Sequence, residues 1–232
     1  MHLYIAYKNY SSWSLRPWLA MKVAGIEFEE TILPFYHSDA LKQLSITEDI
    51  PATVPVLQEN GQTVWDSMAI MEYLAERFPS AKLWPDNLQL RALARSSAAE
   101  MHSGFISLRS QFPMNCRVTC QVEPNEGAKK DLARLAKIWQ KFTEPSFVEQ
   151  PFAEQSIAGK KPAGPFLCGH FTIVDAMFAP VMWRVKGYGL TVSPEFSAWS
   201  DAMLALPAMQ EWLESAKQEE WVIPDYDAVA GI

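Results

Sequence analysis

The chain has 232 residues, nearly half of them hydrophobic and a fifth charged, a balance that suits a globular fold with a real apolar core and excludes disorder. That length exceeds the commonest domain size of about 100–150 residues, so two modest domains are expected. The formal charge of −7 comes without any Lys/Arg block, so no nucleic-acid partner is expected, and no apolar run reaches the ~18 residues of a membrane span.

In chain order, His2 to Tyr7 is rich in β-formers and precedes a polar loop, Lys8 to Ser12. Leu15, Trp18, Leu19 and Val23 then repeat at helical spacing, and Gly25 suits the residue that ends such a helix. Glu27 to Leu33 is a second strand candidate. After an irregular stretch, Val54-Pro55-Val56-Leu57 and Thr63-Val64-Trp65 flank an Asn60-Gly61 pair, a strong hairpin signal. Asp66-Ser67 opens a mostly apolar helix closed by Pro79. Beyond Pro85 strand signals nearly vanish. Helical patterns cover Leu88 to Leu108, Ala128 to Phe142, Val174 to Arg184, Phe196 to Leu204 and Met209 to Lys217, and Ala158 to Pro165 reads as a loop. The expected division is an α/β unit over residues 1–80 and an all-helical unit over 87–232, with a short linker at Pro79 to Asn87.

The first residues read as a strand rather than a basic segment followed by an apolar stretch, so no export signal is expected. Cys116, Cys120 and Cys168 form no C-x-x-C pair, and their odd count fits thiols in a reducing, cytoplasmic setting. His2, His37, His102 and His170 are too dispersed to suggest a metal site. Three positions carry helix-start chemistry. Ser11-Ser12 precede the first helix, Asp66-Ser67 the helix after the hairpin, and Thr172-x-x-Asp175 has the form of a capping box behind Phe171, with a folding role.

The loop Tyr10-Ser11-Ser12-Trp13-Ser14-Leu15-Arg16, Val54-Pro55-Val56-Leu57, Asp66-Ser67 and Thr172-Ile173-Val174-Asp175 occur in the order found in the glutathione transferase superfamily. Together they resemble its bacterial serine-type members and the zeta class, over the whole chain. The resemblance implies a thioredoxin-like N-terminal domain that holds glutathione as co-substrate, and an all-α C-terminal domain that helps hold a small electrophile. It also implies a homodimer, a detoxifying transferase activity, and no tightly bound cofactor. A glutathione thiol is mostly protonated at neutral pH, and lowering its pKa by about two units takes about 2.7 kcal/mol. A hydroxyl at the positive end of a helix can contribute to that.

By resemblance, Ser11 is the activating hydroxyl and Ser12 its nearest competitor, while Tyr4, Tyr7 and Tyr10 keep a tyrosine hydroxyl open and a plain helix cap remains the bland reading. Pro55 matches the superfamily's cis-proline, which lets Val54 pair with the tripeptide as an added strand. Asp66 and Ser67 would take the γ-glutamyl end at a helix N-terminus. Trp13, Met101, His102, Phe105, Arg109, Met114 and Asn115 are acceptor-site candidates, although Met101, Phe105 and Leu108 also form a core stripe, and Arg16 reads equally as a solvated helix charge. The chain departs from the zeta pattern at Trp13, which stands where that class has cysteine. It departs again at Ile50-Pro51-Ala52-Thr53, where many relatives carry a glycine and a lysine. Competing readings are a zeta-like maleylacetoacetate-type isomerase, a glutathione peroxidase and a non-catalytic binding module of the same fold.

Overall fold

The computed structural model describes residues 1–143 and 163–231. Strand β1 (His2–Ile5) pairs parallel with β2 (Glu29–Ile32) and antiparallel with β3 (Val56–Glu59), and β3 pairs antiparallel with β4 (Gln62–Trp65), so the order is β2-β1-β3-β4. Helix α1 (Ser12–Val23) makes the crossover between the two parallel strands. At its end the amide of Ile26 bonds the Met21 carbonyl and that of Gly25 the Lys22 carbonyl, a closure that puts Gly25 at φ +67°, where its lack of a Cβ matters. The hairpin turn places Asn60 and Gly61 both at positive φ, the geometry that matches the twist of the two strands.

Helix α2 (Ala40–Glu48) lies in the stretch the sequence reads as irregular. Among its residues only Leu41 is buried, so its apolar periodicity is faint. Helix α3 (Ser67–Arg77) follows the hairpin, and Pro79–Ala81 forms a short 3₁₀ turn. The single helix expected over Leu88 to Leu108 is two, α4 (Leu88–Ser103) and α5 (Ile106–Gln111), because the chain turns at Gly104 and at Phe105, which has φ +55°. Helices α6 (Glu126–Thr143), α7 (Ile173–Gly187), α8 (Pro194–Leu204) and α9 (Pro207–Gln218) fall on the expected segments. A further helix, α10 (Pro224–Ala230), was not expected; Pro224 occupies its first position, where a missing N–H costs nothing. Part of the Ala158 to Pro165 loop lies outside the described residues.

Helix α7 is the axis of the helical part: every residue but Lys186 is buried, and it packs against α1 and α4. Its start is the expected capping box, with Asp175 Oδ2 accepting the Thr172 amide at 2.9 Å. Asp175 is fully buried and its other oxygen accepts the Leu167 amide and the Trp199 indole N–H, so this carboxylate ties three segments together. Burial raises its pKa, with those hydrogen bonds pulling the other way. Helix α1, whose N-terminus is Ser12, packs against both α3 and α7 and so joins the α/β part to the helical part.

Candidate functional site

A cavity of about 830 Å³ opens at that N-terminus. Its walls bring together Ser11, Ser12 and Trp13 from the first loop, Val54 from the loop that enters β3, Arg109 and Met114 around α5, and Arg184 from α7.

Ser11 is the N-cap of α1. Its Oγ accepts the Ser14 amide at 3.3 Å and donates to Ser14 Oγ at 2.7 Å, and Ser14 Oγ is itself held at 3.0 Å by the Ala6 amide. The Ser11 oxygen is thus fixed at the N-terminus of α1 while its proton can rotate away from Ser14. Ser12 also faces the cavity, but no described residue bonds its hydroxyl. The tyrosines are engaged elsewhere. Tyr4 donates to Gln58; the Tyr7 hydroxyl accepts the Tyr36 amide and pairs with His37 Nδ1; Tyr10 donates to Asp227. Burial raises the pKa of both Tyr7 and Tyr10, and the Asp227 contact raises Tyr10 further, so neither is poised as a phenolate.

The Val54–Pro55 bond is cis, and Val54 lines the cavity. Asp66 and Ser67 do not line it. They sit at the start of α3, where Asp66 Oδ1 caps the amides of Met68 and Ala69. Asp66 Oδ2 lies 3.2 Å from His102 Nε2, and the His102 ring meets Trp13 edge-on at 5.2 Å between ring centres, so His102 and Trp13 link the α3 terminus to the cavity wall. Ser67 is buried, and its hydroxyl has no hydrogen-bond partner among the described residues.

Met101 and Phe105 are buried in the core, Phe105 against the Phe178 ring, and neither lines the cavity; the core stripe is what their spacing reports. Met114 reaches the wall, while Asn115 is buried beneath it, donating to Asp227. Arg16 is not a solvated helix charge. It is 1% exposed, its guanidinium carbon lies 4.4 Å from the Trp13 ring centre, and its Nε and Nη1 have no hydrogen-bond partner among the described residues. Arg109 sits 4.8 Å from the same ring. Burial first, then repulsion from Arg184 and Arg109, lowers the Arg16 pKa to about 9, with Asp66 opposing; burial and Arg109 bring Arg184 to about 10.

Sequence reasoning missed the C-terminal wall. Ile223, Asp225, Tyr226 and Val229 close the cavity from α10 and its approach. That segment is tied to the first loop: Glu219 accepts the amides of Lys8 and Asn9, and Arg117 bonds the carbonyls of Glu219 and Trp221 and the Tyr10 hydroxyl. The Pro at 224 was the available signal for the helix; nothing local announced where it packs. No group of three or more His, Cys, Asp or Glu arranged for a metal occurs among the described residues.

Residues 10–77 match the family model described as "Glutathione S-transferase, N-terminal domain". The chain is 26% identical over 208 residues to glutathione S-transferase 1 of Dianthus caryophyllus, covering 88% of this chain and 87% of that protein. It resembles in fold the crystal structure of a glutathione transferase homolog from Burkholderia gl BGR1 with bound glutathione, with TM-score 0.66, 23% identity, and 94% and 98% of the two chains covered. To the maleylacetoacetate isomerase of Rattus norvegicus it is 31% identical over 215 residues, 90% of this chain and 89% of that one, and with the matched N-terminal model this shows that the chain belongs to the glutathione S-transferase family.

Proposed function

We propose that the protein is a glutathione transferase in which the Ser11 hydroxyl holds the glutathione sulfur as a thiolate for attack on a small electrophile. The observation that carries this is Ser11 itself: a cavity-lining residue at the N-cap of α1 whose hydroxyl is positioned by two contacts with Ser14 and carries a rotatable proton. When a thiolate arrives, that proton turns from Ser14 Oγ to the sulfur, and the dipole of α1 adds to the stabilisation. Ser12 is nearby but unheld, and serves better as a ligand to the peptide. The tripeptide lies along the loop that enters β3, pairing with the backbone of Val54, and its γ-glutamyl carboxylate reaches the start of α3, where the Ser67 hydroxyl has no partner among the described residues while Asp66 Oδ1 holds the Met68 and Ala69 amides. Residues 1–80 then supply the glutathione site and residues 87–232, with Trp13, the acceptor wall. A homodimer, a cytoplasmic setting and a detoxifying role belong to the same proposal, supported by the family resemblance; sedimentation of the purified protein tests the first.

A second reading is favoured by the rat relative named as an isomerase: the thiolate adds, the adduct rotates about a former double bond, and glutathione leaves again. The test is one assay series. Titration calorimetry with glutathione is followed by turnover of a chlorodinitrobenzene with the thiol concentration monitored. Binding with thiol consumption supports conjugation, isomerisation of a maleyl-type diketo acid without consumption selects the second reading, and absence of binding by folded protein contradicts both.

A further inference from the structure

Arg109 and Arg184 both line the cavity, and Arg16 lies behind Trp13 with its Nε and Nη1 unpartnered. Among the described residues no carboxylate comes within ion-pair distance of any of the three, since the arginine ion pairs belong to Arg77, Arg95 and Arg134. Arg184 spends Nε on the Phe112 carbonyl and Nη1 on that of Pro180, leaving Nη2 without a partner among the described residues. Arg109 spends Nη1 on the carbonyls of His102 and Gly104, leaving Nε and Nη2. Placing two buried guanidinium groups and a half-buried third together with no carboxylate in ion-pair contact is costly, and a chain that does so has a use for an anion. Asp225, also in the wall, is a single opposing carboxylate on the α10 side.

The rest of the wall is aromatic. Tyr7, Tyr10, Trp13, Phe35, Tyr36 and Tyr226 all line the cavity, an assembly of ring faces and edges that fits a flat π-system better than a flexible aliphatic chain. The two guanidinium groups over Trp13 fix that ring in place.

Resting on the transferase reading, we propose that the acceptor is a planar aromatic carboxylic acid: its ring lies among the aromatic side chains, and its carboxylate is held by the spare donors of Arg109 and Arg184, with Arg16 adding positive field from behind. For an aryl halide the step balances simply. The thiolate sulfur bonds the ring carbon that bears chlorine, the C–Cl bond breaks, chloride leaves with the electron pair, and the proton lost by the thiol goes to solvent.

The test compares 4-chloro-3,5-dinitrobenzoate with its primary amide, each kcat/KM divided by the uncatalysed rate constant with glutathione, and adds chloroacetate as an aliphatic acid. The expected result is a preference of about tenfold or more for the aromatic acid over the amide, the size expected of charge-assisted hydrogen bonds. Arg109→Gln should collapse this preference through the KM for the acid, Arg109→Lys should recover part of it, and calorimetry should show benzoate binding to the complex with S-methylglutathione weakened by Arg109→Gln. Equal handling of acid and amide overturns the proposal, as does a preference for chloroacetate. A loss in Arg109→Gln that falls on the KM for glutathione also overturns it, because the arginines would then hold the tripeptide's carboxylate. Failure of glutathione to bind at all sinks the transferase reading itself, and is distinguishable because it precedes every comparison of electrophiles.

Discussion

Both carboxylate oxygens of Asp227 lie 3.0 Å from the hydroxyl of Tyr10, a residue 217 positions earlier, so the C-terminal helix is fastened to the loop that carries the proposed thiol-activating serine. Asn115 donates to the same carboxylate at 2.8 Å, and Asp227 is buried. Asp227→Ala leaves two buried donors unpaired, and should cost about 1–3 kcal/mol. The local consequence is more diagnostic: amide exchange over residues 219–231 should accelerate, and the KM for the electrophile should rise, because Ile223, Tyr226 and Val229 no longer hold their part of the cavity wall.

Ser11 and Ser12 should separate by kinetics and stability. Ser11→Ala removes a hydrogen bond to the reacting sulfur, and should lower kcat/KM by roughly 10–150-fold, the equivalent of about 1.5–3 kcal/mol for a bond to a charged group. It also removes the N-cap of α1 and should lower stability by about 1 kcal/mol. Ser12→Ala touches no hydrogen bond within the described protein, and should leave thermal stability within about 0.5 kcal/mol of the parent and alter mainly the KM for glutathione. Steady-state kinetics with thermal unfolding of both variants checks the pair.

Ser67 offers a cleaner binding probe. Its hydroxyl is buried and has no hydrogen-bond partner among the described residues, so Ser67→Ala should be neutral or slightly stabilising. If that hydroxyl meets the γ-glutamyl carboxylate, the dissociation constant for glutathione should rise about tenfold, readable by calorimetry.

Asp175 belongs to folding. Asp175→Ala strips the Leu167 and Thr172 amides and the Trp199 indole of their acceptor, and should cost about 3 kcal/mol or more. Its pKa is raised in the fold, so the linked contribution is full below the unfolded value of about 3.9 and is lost as pH climbs through the folded value. The stability advantage of the parent over Asp175→Asn, which does not titrate, should therefore widen as pH falls toward about 4. Denaturant titrations across acid pH check the slope.

Much of this was legible locally. The Asn60-Gly61 turn, the Gly25 stop and the Thr172-x-x-Asp175 box are short-range devices whose geometry follows from residue type, and each stands where the sequence places it. Helix α2 was not legible because a surface helix that buries little more than Leu41 leaves no periodic trace, and the break at Gly104-Phe105 was hidden by the core spacing of Met101, Phe105 and Leu108. At the site, Ser11, Ser12, Trp13, Val54 and Arg109 meet in one cavity, whereas the burial of Arg16, the reach of Arg184 and the closure by α10 depend on packing between segments far apart in sequence.

The most direct measurement is the ionisation of glutathione's thiol in the binary complex, followed by thiolate absorbance as pH is varied, for the parent and for Ser11→Ala. The account predicts a bound thiol titrating well below its solution value in the parent and returning toward that value in the variant, with glutathione still bound. A bound thiol that titrates as it does in free solution, or a depressed value that Ser11→Ala leaves in place, would contradict it.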